Sequence, residues 1–86
     1  MSHFKTNVKN FNSKIAQILK DIRNNQKITM RQLADKIDTT HSFVSKTERQ
    51  ERRLDIGEFT HYCIELDQDP VTVYAKIVAE MQKNQS

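Results

Sequence analysis

The 86-residue sequence predicts an all-α domain of five helices. Apolar residues recur at intervals of three and four in successive segments, which is the period of a helix face turned toward a core. Each segment after the first opens on a residue whose side chain can cap a helix N-terminus, and a single Gly and a single Pro leave little of the turn chemistry that sheets need. The length suits one core, and 36% hydrophobic with 29% charged residues describes a folded domain rather than a disordered one.

Residues 1–11 are polar, carry Lys5 and Lys9 and show no sustained period, so a flexible arm is expected there. A domain over residues 12–82 follows, with a polar tail at 83–86. Ile15, Ile18, Leu19 and Ile22 mark a first helix capped by Asn12 or Ser13 and frayed by Asn24 and Asn25. Thr29 and Gln32 form a Thr-x-x-Gln capping box for a second helix, with Ile28 and Leu33 as its hydrophobic staple. That helix stops after Ile37, where Asp38, Thr39 and Thr40 favour a turn and a fresh cap. A third helix runs from His41 to about Arg49. Asp55 and Glu58 cap a fourth, with Ile56, Phe59, Cys63 and Leu66 on its inward face. Asp69 and Pro70 open a fifth, whose stripe is Val73, Tyr74, Ile77, Val78 and Met81.

Composition removes several classes of function. No apolar run approaches the length of a membrane span and Met1 to Asn10 lacks the apolar stretch of a signal peptide, so a cytoplasmic protein with no membrane partner is expected. Cys63, as the single cysteine, permits neither an internal disulfide nor a cysteine metal cage, and its expected role is packing. His3 and His61 stand apart from acids at ligand spacing, so no metal and no cofactor is expected. Ser42, Ser45 and His41 are close in sequence, but no acid orients them and no glycine-rich loop lies near, which leaves no catalytic set. Charge is unevenly distributed. Residues 1–53 carry twelve Lys or Arg against five acids (+7), and residues 54–86 carry two against six (−4). That polarity suits a polyanion on one face, although a solvated charged surface would look the same.

Two short helices joined by a three-residue turn have the geometry of a helix-turn-helix. Close crossing needs a small residue, supplied by Ala34, and Val44 gives the matching apolar contact with Thr47 beside it. His41, Ser42, Ser45, Lys46 and Arg49 are then outward, a short, polar and basic face able to enter a major groove and meet base edges and phosphates. Phe43 has two readings, contact with a thymine methyl or the sugar-phosphate backbone, or cover for the junction between helices. Tyr62 and Phe59 read as core.

These residues resemble the phage repressor and Cro type of helix-turn-helix, the XRE family. Thr29, Leu33, Ala34 and Ile37 look like its second helix; Thr40, Ser42, Phe43, Val44, Ser45, Lys46 and Glu48 look like its third; a basic loop follows from Arg49 to Arg53, and the likeness spans roughly Ser13 to Val78. Asp38 and Gln50 replace common glycines, Thr47 replaces a larger apolar residue, and Met30 stands where Gln is usual. The resemblance implies a third helix in the major groove, with Thr40, His41, Ser42 and Lys46 groove-facing beside Phe43 and Ser45. It places Arg31 and Gln32 at a phosphate, and Arg49, Arg52 and Arg53 along the backbone. The function it implies is sequence-specific regulation, as a repressor bound to duplex DNA as a homodimer on an inverted repeat. An antitoxin-like or adaptor protein working with a regulatory protein partner is the alternative. For the homodimer, the fifth helix is the expected surface, through Val71, Val73, Tyr74, Ile77, Val78 and Met81.

Overall fold

The computed structural model describes residues 2–83, and these form five helices: α1 (Ser2–Asn25), α2 (Met30–Ile37), α3 (His41–Glu48), α4 (Ile56–Glu65) and α5 (Pro70–Lys83). Residues 84–86 of the expected tail, and Met1 of the expected arm, lie outside the described residues. The all-α reading and the order of elements hold. α1 packs on α3 and α5, α2 on α3 and α4, and α4 on α5. Leu19, Leu33, Val44, Tyr62, Cys63, Leu66 and Ile77 meet at the centre with almost no exposure.

Capping chemistry accounts for the boundaries. The Thr29 hydroxyl accepts the Gln32 amide at 3.0 Å while the Gln32 side chain accepts the Thr29 amide at 2.8 Å. Asp55 and Glu58 repeat the exchange at 2.8 and 2.9 Å. Thr40 caps α3 by accepting the Phe43 amide at 3.1 Å, and Asp69 accepts the Val71 amide at 3.0 Å beside Pro70. Each cap satisfies amides that the first turn of a helix leaves without a partner.

The first helix corrects the sequence reading. Residues 2–11, read as an arm, continue α1 toward the N-terminus, and the 24-residue helix of about 36 Å nearly accounts for the 38 Å long axis. Phe4, Val8, Phe11 and Ile15 lie at helical spacing, and Phe11 and Ile15 pack against the core. Beyond Phe11 the helix overhangs, with Phe4 73% exposed. The radius of gyration, 13.0 Å, accordingly exceeds the roughly 12 Å of a sphere-like domain of this length.

Two apolar stripes also need correction. Ile56, assigned to the inward face of α4, is 84% exposed, and Tyr62 takes the buried place. On α5, Val73 and Ile77 are core and Met81 packs against it, while Val71 and Tyr74 face outward. α4 is covered by α2 and α5, and α5 by α1 and α4, so the positions of these neighbours decide which apolar residues are buried. An apolar groove of about 180 Å³ remains between α1 and these helices, walled by Ile15, Leu54, Ile56, Phe59 and Tyr74.

Four residues with left-handed backbone follow helix C-termini, Lys27, Asp38, Gln50 and Asp67, and none is glycine. At Asp38 (φ 67°) the backbone closes α2, with its amide and that of Thr39 turned back on the carbonyls of Ala34 and Asp35. A side chain there costs about 1 kcal/mol of steric strain, and an acid at a helix C-terminus opposes the helix dipole. Asp38→Gly should therefore stabilise the domain by about 0.5–1 kcal/mol, raising the thermal midpoint by a few degrees in calorimetry. A lowered midpoint would mean that Asp38 makes a favourable contact outweighing its strain.

Candidate nucleic-acid interface

The inward side of α3 is fixed before its outward side is considered. Val44 is fully buried, and Thr47, buried beside it, donates its hydroxyl to the Phe43 carbonyl at 2.7 Å, which satisfies a polar group where a larger apolar residue was expected. Glu48 completes this side through a contact the sequence reading missed. Its carboxylate receives Nε and an Nη of Arg23 at 2.6 and 3.0 Å, a bidentate pair between α1 and α3 with side chains only 10% and 6% exposed. Arg23 also donates to the Ile28 carbonyl at 2.7 Å, so one guanidinium holds α1, the entry to α2 and the end of α3. The hydrogen bond to Glu48 pushes the Arg23 pKa above its ordinary value despite opposing desolvation, so the cationic form it stabilises is retained up to and beyond the pH at which a free arginine would lose its proton.

Glu48 was detectable. It falls four residues after Val44 and one after Thr47, on the buried side of an otherwise basic helix, and a charge at such a position requires a partner. Tyr62 lies close enough to feel both charges; burial first, and Glu48 next, raise the phenol pKa far above the usual range. Its hydroxyl is buried without a hydrogen-bond partner among the described residues. His61 also has a structural task, bonding the Ile37 carbonyl through Nε2 at 3.0 Å at the end of α2.

With α3 held from behind, His41, Ser42 and Lys46 are exposed, and Phe43 and Ser45 are half-buried. Thr40 is exposed, but its hydroxyl oxygen is engaged as the cap of α3. At the start of α2, Arg31 is exposed, whereas the side-chain oxygen of Gln32 is occupied in the capping box. Arg49 and Arg53 are exposed in the segment after α3, Arg49 with Glu51 at 3.4 Å. Arg52 is bonded to Glu58 at 2.8 Å and lies over the Phe43 ring at 4.5 Å from its centroid. This stacking ties Phe43, which also packs against the core, to the loop after α3. The remaining outward surface of α3 is narrow, polar and basic. Among the described residues no group of His, Cys, Asp and Glu is arranged to hold a metal, and no helix is long and apolar enough to cross a membrane.

A helix-turn-helix family model matches residues 19–60, the segment running from the C-terminal end of α1 into α4. An XRE-family like protein from Pseudomonas syringae pv. tomato superposes with a TM-score of 0.88 at 34% identity, over 93% of this chain and 98% of that one. The chain belongs to the XRE family. Within the fold of this XRE-family protein the matched segment contains both helices of the motif, the Asp38–Thr40 turn and the basic loop. The restriction-modification controller protein C.Esp1396I is similar at 26% identity and a TM-score of 0.77, covering 85% of this XRE-family chain and 95% of its own. The clp gene regulator ClgR from Corynebacterium glutamicum, at 18% identity and a TM-score of 0.75, covers 86% of this chain and 79% of its own and shares the fold. No curated protein gives a significant match to the sequence.

Proposed function

We propose that this protein is a sequence-specific transcriptional repressor that binds an inverted repeat in duplex DNA as a homodimer, each copy placing α3 in a major groove. XRE-family membership makes it a helix-turn-helix DNA-binding regulator and not an enzyme, and its likeness to a restriction-modification controller protein supports the regulatory reading. The observation that carries the finer statement is the division of α3, whose inner side is locked by Val44, Thr47 and the Arg23–Glu48 pair while His41, Ser42 and Lys46 are exposed. A rigid helix with exposed donors can match the fixed pattern of base edges, which a mobile segment could not do without an ordering cost.

In this reading Thr40, His41, Ser42 and Lys46 meet the groove, with Phe43 and Ser45 at its margin. Arg31, Gln32, Arg49, Arg52 and Arg53 meet phosphates. Arg52 has a second task there, since its contact with Glu58 orients it over Phe43. The test begins by selecting bound sequences from a random duplex pool and comparing Lys46→Ala with the parent on selected and random DNA. The variant should lose about 1–3 kcal/mol on the selected site and much less on random duplexes. Equal losses on both would assign Lys46 to the backbone, and absence of any enriched sequence would remove the specific-binding reading.

A further inference from the structure

The overhanging first turns of α1 are basic, and they stand beside the loop after α3. The Ser13 hydroxyl donates to the Gln50 side chain at 2.7 Å and ties the two segments together. At about 100° per residue, Lys5 and Lys9 fall on the side of α1 that carries Ser13 and Ala16, the side turned to α3 and its loop. Lys14 falls on the opposite side, where it pairs with Glu80 of α5 at 3.1 Å. An open groove of about 440 Å³ lies between overhang and loop, lined by Lys5, Lys9, Asn12, Gln50 and Arg53, with Phe4 and Val8 along its apolar edge.

Three cations line this groove and no carboxylate does. Lys5 and Lys9 are exposed, and neither has an ion-pair partner among the described residues. As an i, i+4 pair of like charge they mildly destabilise the helix that carries them, a cost that an anion between them would remove. Arg53 belongs to the same loop as Arg49 and Arg52, so the groove continues the basic surface of the motif.

We propose that this groove holds the sugar-phosphate backbone of the DNA flanking the site read by α3, with Lys5, Lys9 and Arg53 as phosphate contacts. The inference rests on the DNA-binding reading and adds to it a second contact from α1, so that the footprint extends past the recognition helix. Asn12 and Gln50 supply neutral donors between the cations.

The experiment measures the salt dependence of binding to a mixed-sequence duplex of fixed length for the parent, Lys5→Ala with Lys9→Ala, Lys5→Arg with Lys9→Arg, and Lys76→Ala on α5. Each phosphate contact contributes about 0.9 to the slope of log K against log salt, so the double alanine variant should have a slope shallower by about 1.8. The arginine pair and Lys76→Ala should keep the parental slope, and circular dichroism should show full helix content in all, alanine being a strong helix former. A parent that binds with a steep slope, matched by the double alanine variant, overturns the α1 contact and leaves the DNA-binding reading standing. A parent without salt-dependent binding removes both. Loss of self-association in sedimentation with an unchanged slope would assign the overhang to a second copy of the chain and overturn the proposal.

Discussion

Arg23→Ala is expected to cost about 3–5 kcal/mol of folding stability, the scale for removing one partner of a buried ion pair and leaving the other charge uncompensated. Glu48 would be left buried with its two strongest donors gone, and the Ile28 carbonyl would lose its bond to the guanidinium as well. For a domain of this size that is a large part of the total, which is commonly about 0.05–0.15 kcal/mol per residue. Urea unfolding followed by circular dichroism gives the value directly. The paired change Arg23→Met with Glu48→Leu should recover most of the loss, because apolar residues of similar volume can replace a buried pair without a desolvation penalty. A cost below about 1 kcal/mol for Arg23→Ala would place the pair with exposed salt bridges and remove its role in fixing α3.

Ile56→Asp combined with Tyr74→Asp is expected to convert the proposed dimer into a folded monomer and to shorten the protected DNA to one half-site of the proposed repeat. Both side chains wall the apolar groove between α1, α4 and α5, and both are largely exposed, 84% and 58%. Val71 extends the same outward arc of α5 one turn earlier. Exposed apolar area of this kind is covered economically by a second copy, whose recognition helix would then lie in the next major groove, about 34–36 Å away. Specific binding commonly exceeds non-specific binding by roughly 4–10 kcal/mol, so losing one of two half-sites should cost on the order of 2–5 kcal/mol. Val78 and Met81 make a poorer pair for this test, since Val78 is half-buried and Met81 packs against the core. Sedimentation and footprinting at equal protein concentration decide the matter. A folded double variant that remains dimeric and protects the full repeat would exclude this face.

The parts of the fold legible in the sequence were those decided locally. Thr29 with Gln32, Asp55 with Glu58 and Thr40 before α3 could be placed because a cap and its amide lie within one turn. The same holds for the inward Val44 and Thr47, three residues apart on one side of α3. The features that escaped depend on distant partners. Arg23 and Glu48 are 25 residues apart, and nothing local pairs them. Tyr74 and Val73 are adjacent apolar residues, and only the positions of α1 and α4 decide which of the two is covered. Phe4, Val8 and Phe11 did carry the helical period, but the polar residues between them obscured it, and their continuity with Ile15 decided the outcome.

Val44, Thr47 and Glu48 hold the inward side of α3 while His41, Ser42 and Lys46 are exposed, and only Thr40, as the cap, and the part-buried Phe43 belong both to the framework and to the proposed contact surface. Changes at the displayed positions leave the core and the ion pair untouched, and surface changes of that sort seldom alter stability by more than about 0.5 kcal/mol. If the proposed base contacts of His41, Ser42 and Lys46 hold, a lineage carrying this scaffold is free to drift toward new target sequences through single exposed substitutions, without passing through poorly folded ancestors on the way.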